Sequence, residues 1–345
     1  MSAGVLSASG PWIISRRDDL VWLQGGVVAG LALCAFFVTA PPSAVVLAVF
    51  LWGVLFDGTH VWGTYARSYL APDAASRAAL PGRWSWAVFG IGPAVALLDA
   101  GLAEPGGLFA WFLLLAYLWA YWHLVRQHYG FLRLYRRREG AADANGARLD
   151  TALLWLGCLY PYVRFSLSDG YAATGLPRLT PPALIPLARL ALDAGFVVAM
   201  TALLVTVLSG RVEPRRLAQR HLLLALVIGF HAVVFAALDD LLAILATLTI
   251  FHNLQYHRIV WHYERGHGRV PSGSLARYLA LGLALGLVWY GARVLGAASA
   301  PSTLTRNVLI GLGWGVAFHH YLVDGRIWRV GRSPAVAQAL ARAAA

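Results

Sequence analysis

The sequence predicts an all-α fold: a polytopic transmembrane helical bundle of about ten spans, with both termini on the cytoplasmic side. Three observations predict it. The composition is too apolar for water, apolar runs of spanning length recur along the chain, and arginine gathers on one side of those runs.

The 345 residues are 59% hydrophobic and 13% charged, against roughly 45–50% and about 25% in soluble domains. A water-soluble fold of this length cannot hide that much apolar surface, whereas lipid can serve as its solvent. The runs fall at 20–39, 43–66, 84–103, 108–132, 150–165, 182–209, 217–238, 240–262, 274–297 and 304–325. Most approach the roughly 20 apolar residues that a bilayer core requires of a helix. The fifth is short, and the Gly-, Pro- and Ser-rich stretch from Ser166 to Pro182 reads as an external loop with a short interfacial helix. Together the runs use up the length, so residues 1–345 form a single integral membrane domain.

Every basic residue is arginine. Arg16 and Arg17 precede the first run. Arg67, Arg77 and Arg83 follow the second, and Arg133, Arg136, Arg137, Arg138 and Arg148 the fourth. Arg211, Arg215, Arg216 and Arg220 follow the sixth, Arg258, Arg265, Arg269 and Arg277 the eighth, and Arg326, Arg329, Arg332 and Arg342 the tenth. The opposite loops hold Arg164, Arg178, Arg293 and Arg306. By the positive-inside rule this asymmetry predicts an even number of spans and two cytoplasmic ends. The N-terminus lacks a signal-peptide cleavage pattern, and the expected location is a bacterial cytoplasmic membrane. The formal charge of +12 belongs to span ends, so nucleic acid is not an expected partner. Cys34 and Cys158, both inside apolar runs, make neither a disulfide framework nor a thiolate metal site.

Chemistry is concentrated in the histidines. Of eleven, His60, His123, His128, His252, His257, His262, His267, His319 and His320 fall at the cytoplasmic ends of the second, fourth, eighth and tenth runs. Asp57 and Asp324 accompany them. Even-numbered spans all finish on the same side, so these groups share one depth. Ionisable groups there normally face a bundle interior or a cavity. Asp57 and His60 are i, i+3, and His320 and Asp324 are i, i+4, so each pair shares a helix face. His123/His128 and His252/His257 are i, i+5, about 140° apart on a regular helix, too far round to grip one ion together. Imidazole plus carboxylate without thiolate suits iron, with zinc or manganese as alternatives. An aromatic–histidine belt at the membrane surface is the bland alternative, with Trp62, Trp122, Trp261 and Trp328 as its members. A belt requires no buried aspartate. His231 reads as a structural hydrogen-bonder, His221 as interfacial, and His262 and His267 as residues of the membrane edge. Asp193 is expected to pair with Arg189 at i, i+4. Gln127 and Gln255 are placed to orient neighbouring histidines, and Gly58 and Gly325 to admit a close neighbour.

His123-x4-His128 followed by Arg136–Glu139–Gly140 parallels His252-x4-His257 followed by Glu264–Arg265–Gly266, and Asp57-Gly58 parallels Asp324-Gly325. This weak similarity suggests the halves 1–180 and 181–345.

In style, these His-x4-His pairs and the His319-His320 doublet resemble the histidine boxes of the membrane-bound di-iron desaturases, hydroxylases and alkane monooxygenases. The likeness covers four short segments. The usual His-x2-His-His boxes are missing, and the spans exceed that superfamily's usual number. The resemblance implies an oxygen-dependent metalloenzyme with two iron ions, O2 and an external electron donor as partners, and a hydrophobic or lipid-like substrate drawn from the membrane lipids. The metal set expected from the residues is Asp57, His60, His123, His128, His252, His257, His319, His320 and Asp324. The alternatives are a haem-bearing electron-transfer subunit and a metal-ion or proton transporter.

Overall fold

In the computed structural model, residues 11–71, 77, 80–208, 219–268, 270, 273–329 and 333–342 are described. Arg211, Arg215, Arg216, Arg269 and Arg332 lie outside them. The described chain is helical, without a strand. Its helices are α1 (Arg16–Thr39), α2 (Pro42–Arg67), α3 (Val88–Ala100), α4 (Gly107–Arg138), α5 (Ala144–Ser166), α6 (Asp169–Ala173), α7 (Ile185–Leu208), α8 (Gln219–Ala237), α9 (Leu241–Gly266), α10 (Leu275–Ala298), α11 (Thr303–Ile327) and α12 (Pro334–Arg342). The short helix expected after Ser166 is α6.

Six helices (α1, α2, α4, α7, α8 and α10) are long and apolar enough to cross a membrane, which fits a helical membrane protein. The others expected to span, α3, α5, α9 and α11, are shorter or more polar. In α9 and α11 the polarity comes from the histidines, Gln255 and Asp324 themselves.

Local chemistry sets the helix ends. Pro41 and Pro42 close α1 and open α2, since proline suits the first helical turn and disfavours helix in the residue before it. Ser274 caps α10 and Ser302 caps α11, each accepting from the backbone three residues on. At the start of α4 the buried Asp99 carboxylate accepts from the amides of Gly106, Leu108 and Phe109 at 2.7, 2.9 and 3.2 Å. An anion on a helix N-terminus is stabilised there, and this one fixes the entry of the helix that carries His123.

The chain forms two compact units. One takes in the stretch up to Ala40 with Leu124–His252; the other is Pro41–His123 with the chain from Asn253 onward. The division therefore falls within α4 and α9, and the units interleave along the chain.

In the second unit two glycine seams bring backbones together. A Cβ on Gly58 of α2 would lie 2.3 Å from the Gly286 Cα of α10, and one on Gly92 of α3 would lie 2.4 Å from the Gly311 Cα of α11. Gly58 thus has the close neighbour expected for it. Gly325 has nothing within 4 Å, so the parallel between the two glycines is not structural. Around the α3–α11 seam, Val88, Ala96, Phe109, Phe112, Ala116 and Phe318 make a buried core. The only relief for a side chain at Gly92 is to move backbone. Gly92→Val is therefore expected to destabilise by about 1–3 kcal/mol, read as a lower thermal midpoint in detergent. A π-turn, Gly53–Asp57, precedes His60 in α2, and another, Leu287–Gly291, lies in α10.

In the first unit two of the arginines expected to flank spans, Arg136 and Arg220, are buried and paired. Arg136 donates to Asp150 at 2.6 Å and to Asp143 at 3.1 Å. Arg220 lies 3.1 Å from Asp150 and pairs also with Glu139. Asp193 pairs with Arg164 at 3.0 Å and accepts from the Tyr160 hydroxyl. This corrects the Arg189 expectation: Arg189 turns to the Leu167 carbonyl instead.

Candidate metal centre

His60 on α2, His123 on α4, and His320 and Asp324 on α11 meet in the second unit, each offering one ligand atom within 4.8 Å of the others. His60, His320 and Asp324 are buried and His123 is 12% exposed. His60 Nε2 lies 2.9 Å from His320 Nε2. Asp324 Oδ2 lies 3.8 Å from His320 Nε2 and 4.0 Å from His123 Nε2. Two ligand atoms each about 2.1 Å from one ion stand about 3.0–3.4 Å apart across a right or tetrahedral angle, and about 4.2 Å apart when opposed. The observed spacings fall near that range.

Three neighbours orient these ligands. Thr64, one turn beyond His60, lies with its Oγ1 2.7 Å from His320 Nδ1 and donates to Asp324 Oδ1 at 2.9 Å. Its single proton is given to the carboxylate, so it accepts from His320 Nδ1–H. His320 Nε2 then carries a lone pair facing His60. Tyr256 on α9 donates to the same Oδ1 at 2.7 Å, stands 2.6 Å from Thr64, and sets its ring 4.2 Å from that of His60. Tyr321 stacks on His123 with ring centres 4.3 Å apart. Asp324 thus spends Oδ1 on two hydroxyls and turns Oδ2 toward the imidazoles. Such outer hydrogen bonds fix tautomer and aim in metal sites.

Beyond Thr64 on the same face of α2, Arg67 is buried. Its guanidinium lies over the rings of Tyr263 at 3.9 Å and Trp328 at 4.4 Å, and donates to the Ile327 carbonyl at 2.9 Å. It anchors α2 against the end of α11.

The other residues expected as ligands are placed otherwise. His319 sits in an aromatic pocket, with Nδ1 3.3 Å from the Tyr65 hydroxyl, Nε2 3.1 Å from that of Tyr69, and Trp86 at 4.6 Å. Burial pushes the Tyr69 hydroxyl above its ordinary value, which keeps its proton. His257 has both nitrogens committed. Thr59 gives its proton to the Leu55 carbonyl at 2.7 Å and accepts from His257 Nε2 at 3.1 Å, so Nδ1 accepts from Tyr278 at 2.9 Å. Asp57 feels the charge of Arg293, whose side chain lies against Gly313. His128 and His252 belong to the first unit. Gln127 there donates to the His252 backbone carbonyl at 2.8 Å.

His262 and His267 also have defined places. Read as a membrane-edge residue, His262 is in fact buried, donating to the Leu340 carbonyl of α12 at 2.9 Å. His267 lies just past α9 and donates to the Tyr263 carbonyl.

Sequence reasoning missed Thr64 and Tyr256. The signal for Thr64 was its i, i+4 spacing from His60. Comparison with protein-family models, with curated proteins and with solved structures finds no match to this chain.

Proposed function

We propose that the protein is an integral-membrane, non-haem iron enzyme that uses O2 on a hydrophobic, lipid-like substrate near the cytoplasmic face. The observation that carries this reading is the convergence of three imidazoles and one carboxylate inside apolar helices. Nitrogen and oxygen donors without sulfur suit iron, and manganese or zinc less distinctively. Four ligands suffice for one ion, so the reading favours one iron over the two implied by the histidine-box likeness. A bound non-haem iron with open coordination positions would supply the activation of oxygen.

The protein's own groups do the rest. Thr64 holds the tautomer of His320, and Tyr256 and Thr64 hold Asp324. The surrounding apolar helices admit a lipid and exclude water. The electron donor is external, and substrate and O2 are its partners. The same reading takes the chain through the membrane about ten times with both ends in the bacterial cytoplasm.

Metal analysis of detergent-purified protein after iron-supplemented expression tests it. About one iron per chain is expected. A zinc-filled site turns the reading toward non-redox chemistry, and a content near zero removes it. Thr64→Val is expected to weaken metal retention about 10–100-fold, measured by chelator competition, with little change in helix content.

A further inference from the structure

In the first unit, the outward face of α4 carries a row of cations. Arg126, Gly130, Arg133 and Arg137 are exposed and fall within about 60° of arc on a regular helix. Tyr129 borders them. The Arg126 guanidinium lies 5.3 Å from the Tyr129 ring centre and that of Arg133 6.0 Å from it, and Arg133 Nη1 donates to the Tyr129 hydroxyl at 3.5 Å. The two arginines thus lean toward one ring from opposite ends of the same stripe. A Cβ on Gly130 would meet nothing within 4 Å, so an open notch lies between them. Glu139, Asp143 and Asp150, the next acids along the chain, are paired with the buried Arg136 and Arg220. Arg133 and Arg137 stand i, i+4, a spacing at which like charges repel on a helix.

We propose that this notch binds the phosphate of an anionic membrane lipid of the phosphatidylglycerol kind, with Arg126 and Arg133 flanking it, the Tyr129 hydroxyl beside it and Arg137 beyond. Depth selects a lipid over a free anion. The helix α4 is long and apolar enough to cross a membrane, and a helix crosses the hydrocarbon core in about 20 residues. Counted from Gly107, where α4 begins, that length ends at Arg126. Gly130 then stands about 6 Å further on, inside a polar layer about 5–8 Å deep, where lipid phosphates lie. Guanidinium groups give a phosphate paired, charge-assisted hydrogen bonds. Charge selects the headgroup. An ammonium headgroup would sit among three guanidinium groups, whereas a glycerol headgroup brings no cation. The site shares no residue with the centre around Asp324, so it stands or falls apart from the metal reading.

Native mass spectrometry of the full-length, detergent-purified protein tests the site, with titrations of phosphatidylglycerol, phosphatidylethanolamine and inorganic phosphate. The phosphatidylglycerol adduct is expected to form at lower concentration than the phosphatidylethanolamine one, and excess inorganic phosphate is expected not to displace it. An arginine near anionic lipid is worth about fivefold in affinity, so Arg126→Gln/Arg133→Gln is expected to weaken the adduct about 30-fold. Arg265→Gln removes an exposed charge at the end of α9 and is expected to leave it unchanged. Gly130→Leu keeps every charge, suits a helix better than glycine and fills the notch. It is expected to weaken the adduct with no loss of helix content. Equal binding of the two lipids, displacement by inorganic phosphate, or an Arg265→Gln protein as impaired as the double variant overturns the site. A Gly130→Leu protein that binds like the unmutated chain overturns it too.

Discussion

Asp324→Ala protein is expected to leave the detergent column with metal below detection while keeping its helix content, and His320→Ala is expected to do the same. Asp324 is the one anionic donor in the group. Its removal strips the ion of its charge partner and leaves three neutral imidazoles to hold a divalent charge in a buried place. It also releases Thr64 and Tyr256, whose hydroxyls both point at Oδ1. Thr64 then loses the acceptor of its proton, and with it the reason to accept from His320 Nδ1. The loss is thus larger than that of one ligand. His257→Ala and His319→Ala serve as the contrast, because their nitrogens are taken by Thr59 and Tyr278 and by Tyr65 and Tyr69. Both are expected to retain the metal. A centre that survives in Asp324→Ala and fails in His319→Ala would relocate it.

Asp150→Ala is expected to be the most destabilising of the charge deletions, by about 3–5 kcal/mol, since removing one partner of a buried ion pair strands the others. Asp150 is 4% exposed at its side chain and faces both Arg136 at 2.6 Å and Arg220 at 3.1 Å. Without it two guanidinium groups, each 6% exposed, are left with Asp143 and Glu139 alone. Thermal unfolding in detergent measures the drop. The Asp150→Ala/Arg136→Met double variant is expected to recover part of it by removing one of the stranded charges. A double variant no more stable than Asp150→Ala would show that the pair does not act as a unit. Metal content is expected to stay unchanged, because the ligands of the centre and this cluster belong to different units.

Much of the centre was legible because depth and helix face are written in the sequence. Counting spans put His60, His123, His320 and Asp324 at one level, and the i, i+4 spacing put His320 beside Asp324. The same counting also placed His128 and His252 at that level. Depth says nothing about which helices pack together, and those two went to the other unit. Histidine type carries no mark of its partner either: His257 and His319 look like ligands until the Thr59, Tyr278, Tyr65 and Tyr69 hydroxyls are seen on their nitrogens. Thr64 and Tyr256 were hidden for the converse reason. A threonine or tyrosine in a helix has many uses, and only the packing of α2, α9 and α11 selects this one. Arg67 and Arg136 lie at the ends of their helices, yet counting charges could not foresee that they would be buried. The π-turn Gly53–Asp57 left no sign in the apolar pattern of its helix.

The order in which the ligands are made has a consequence for assembly. His60 and His123 leave the ribosome long before His320 and Asp324, by roughly 10–40 s at ordinary rates of synthesis. The unit that holds all four closes only when the chain beyond Asn253 returns to the stretch that ends at His123. On the proposed reading, a nascent chain therefore carries two of its four ligands through most of its synthesis and cannot complete the set until the last pair of helices is made. Metal loading would then report a complete chain, and one stopped before Thr303 would lack half of its ligands.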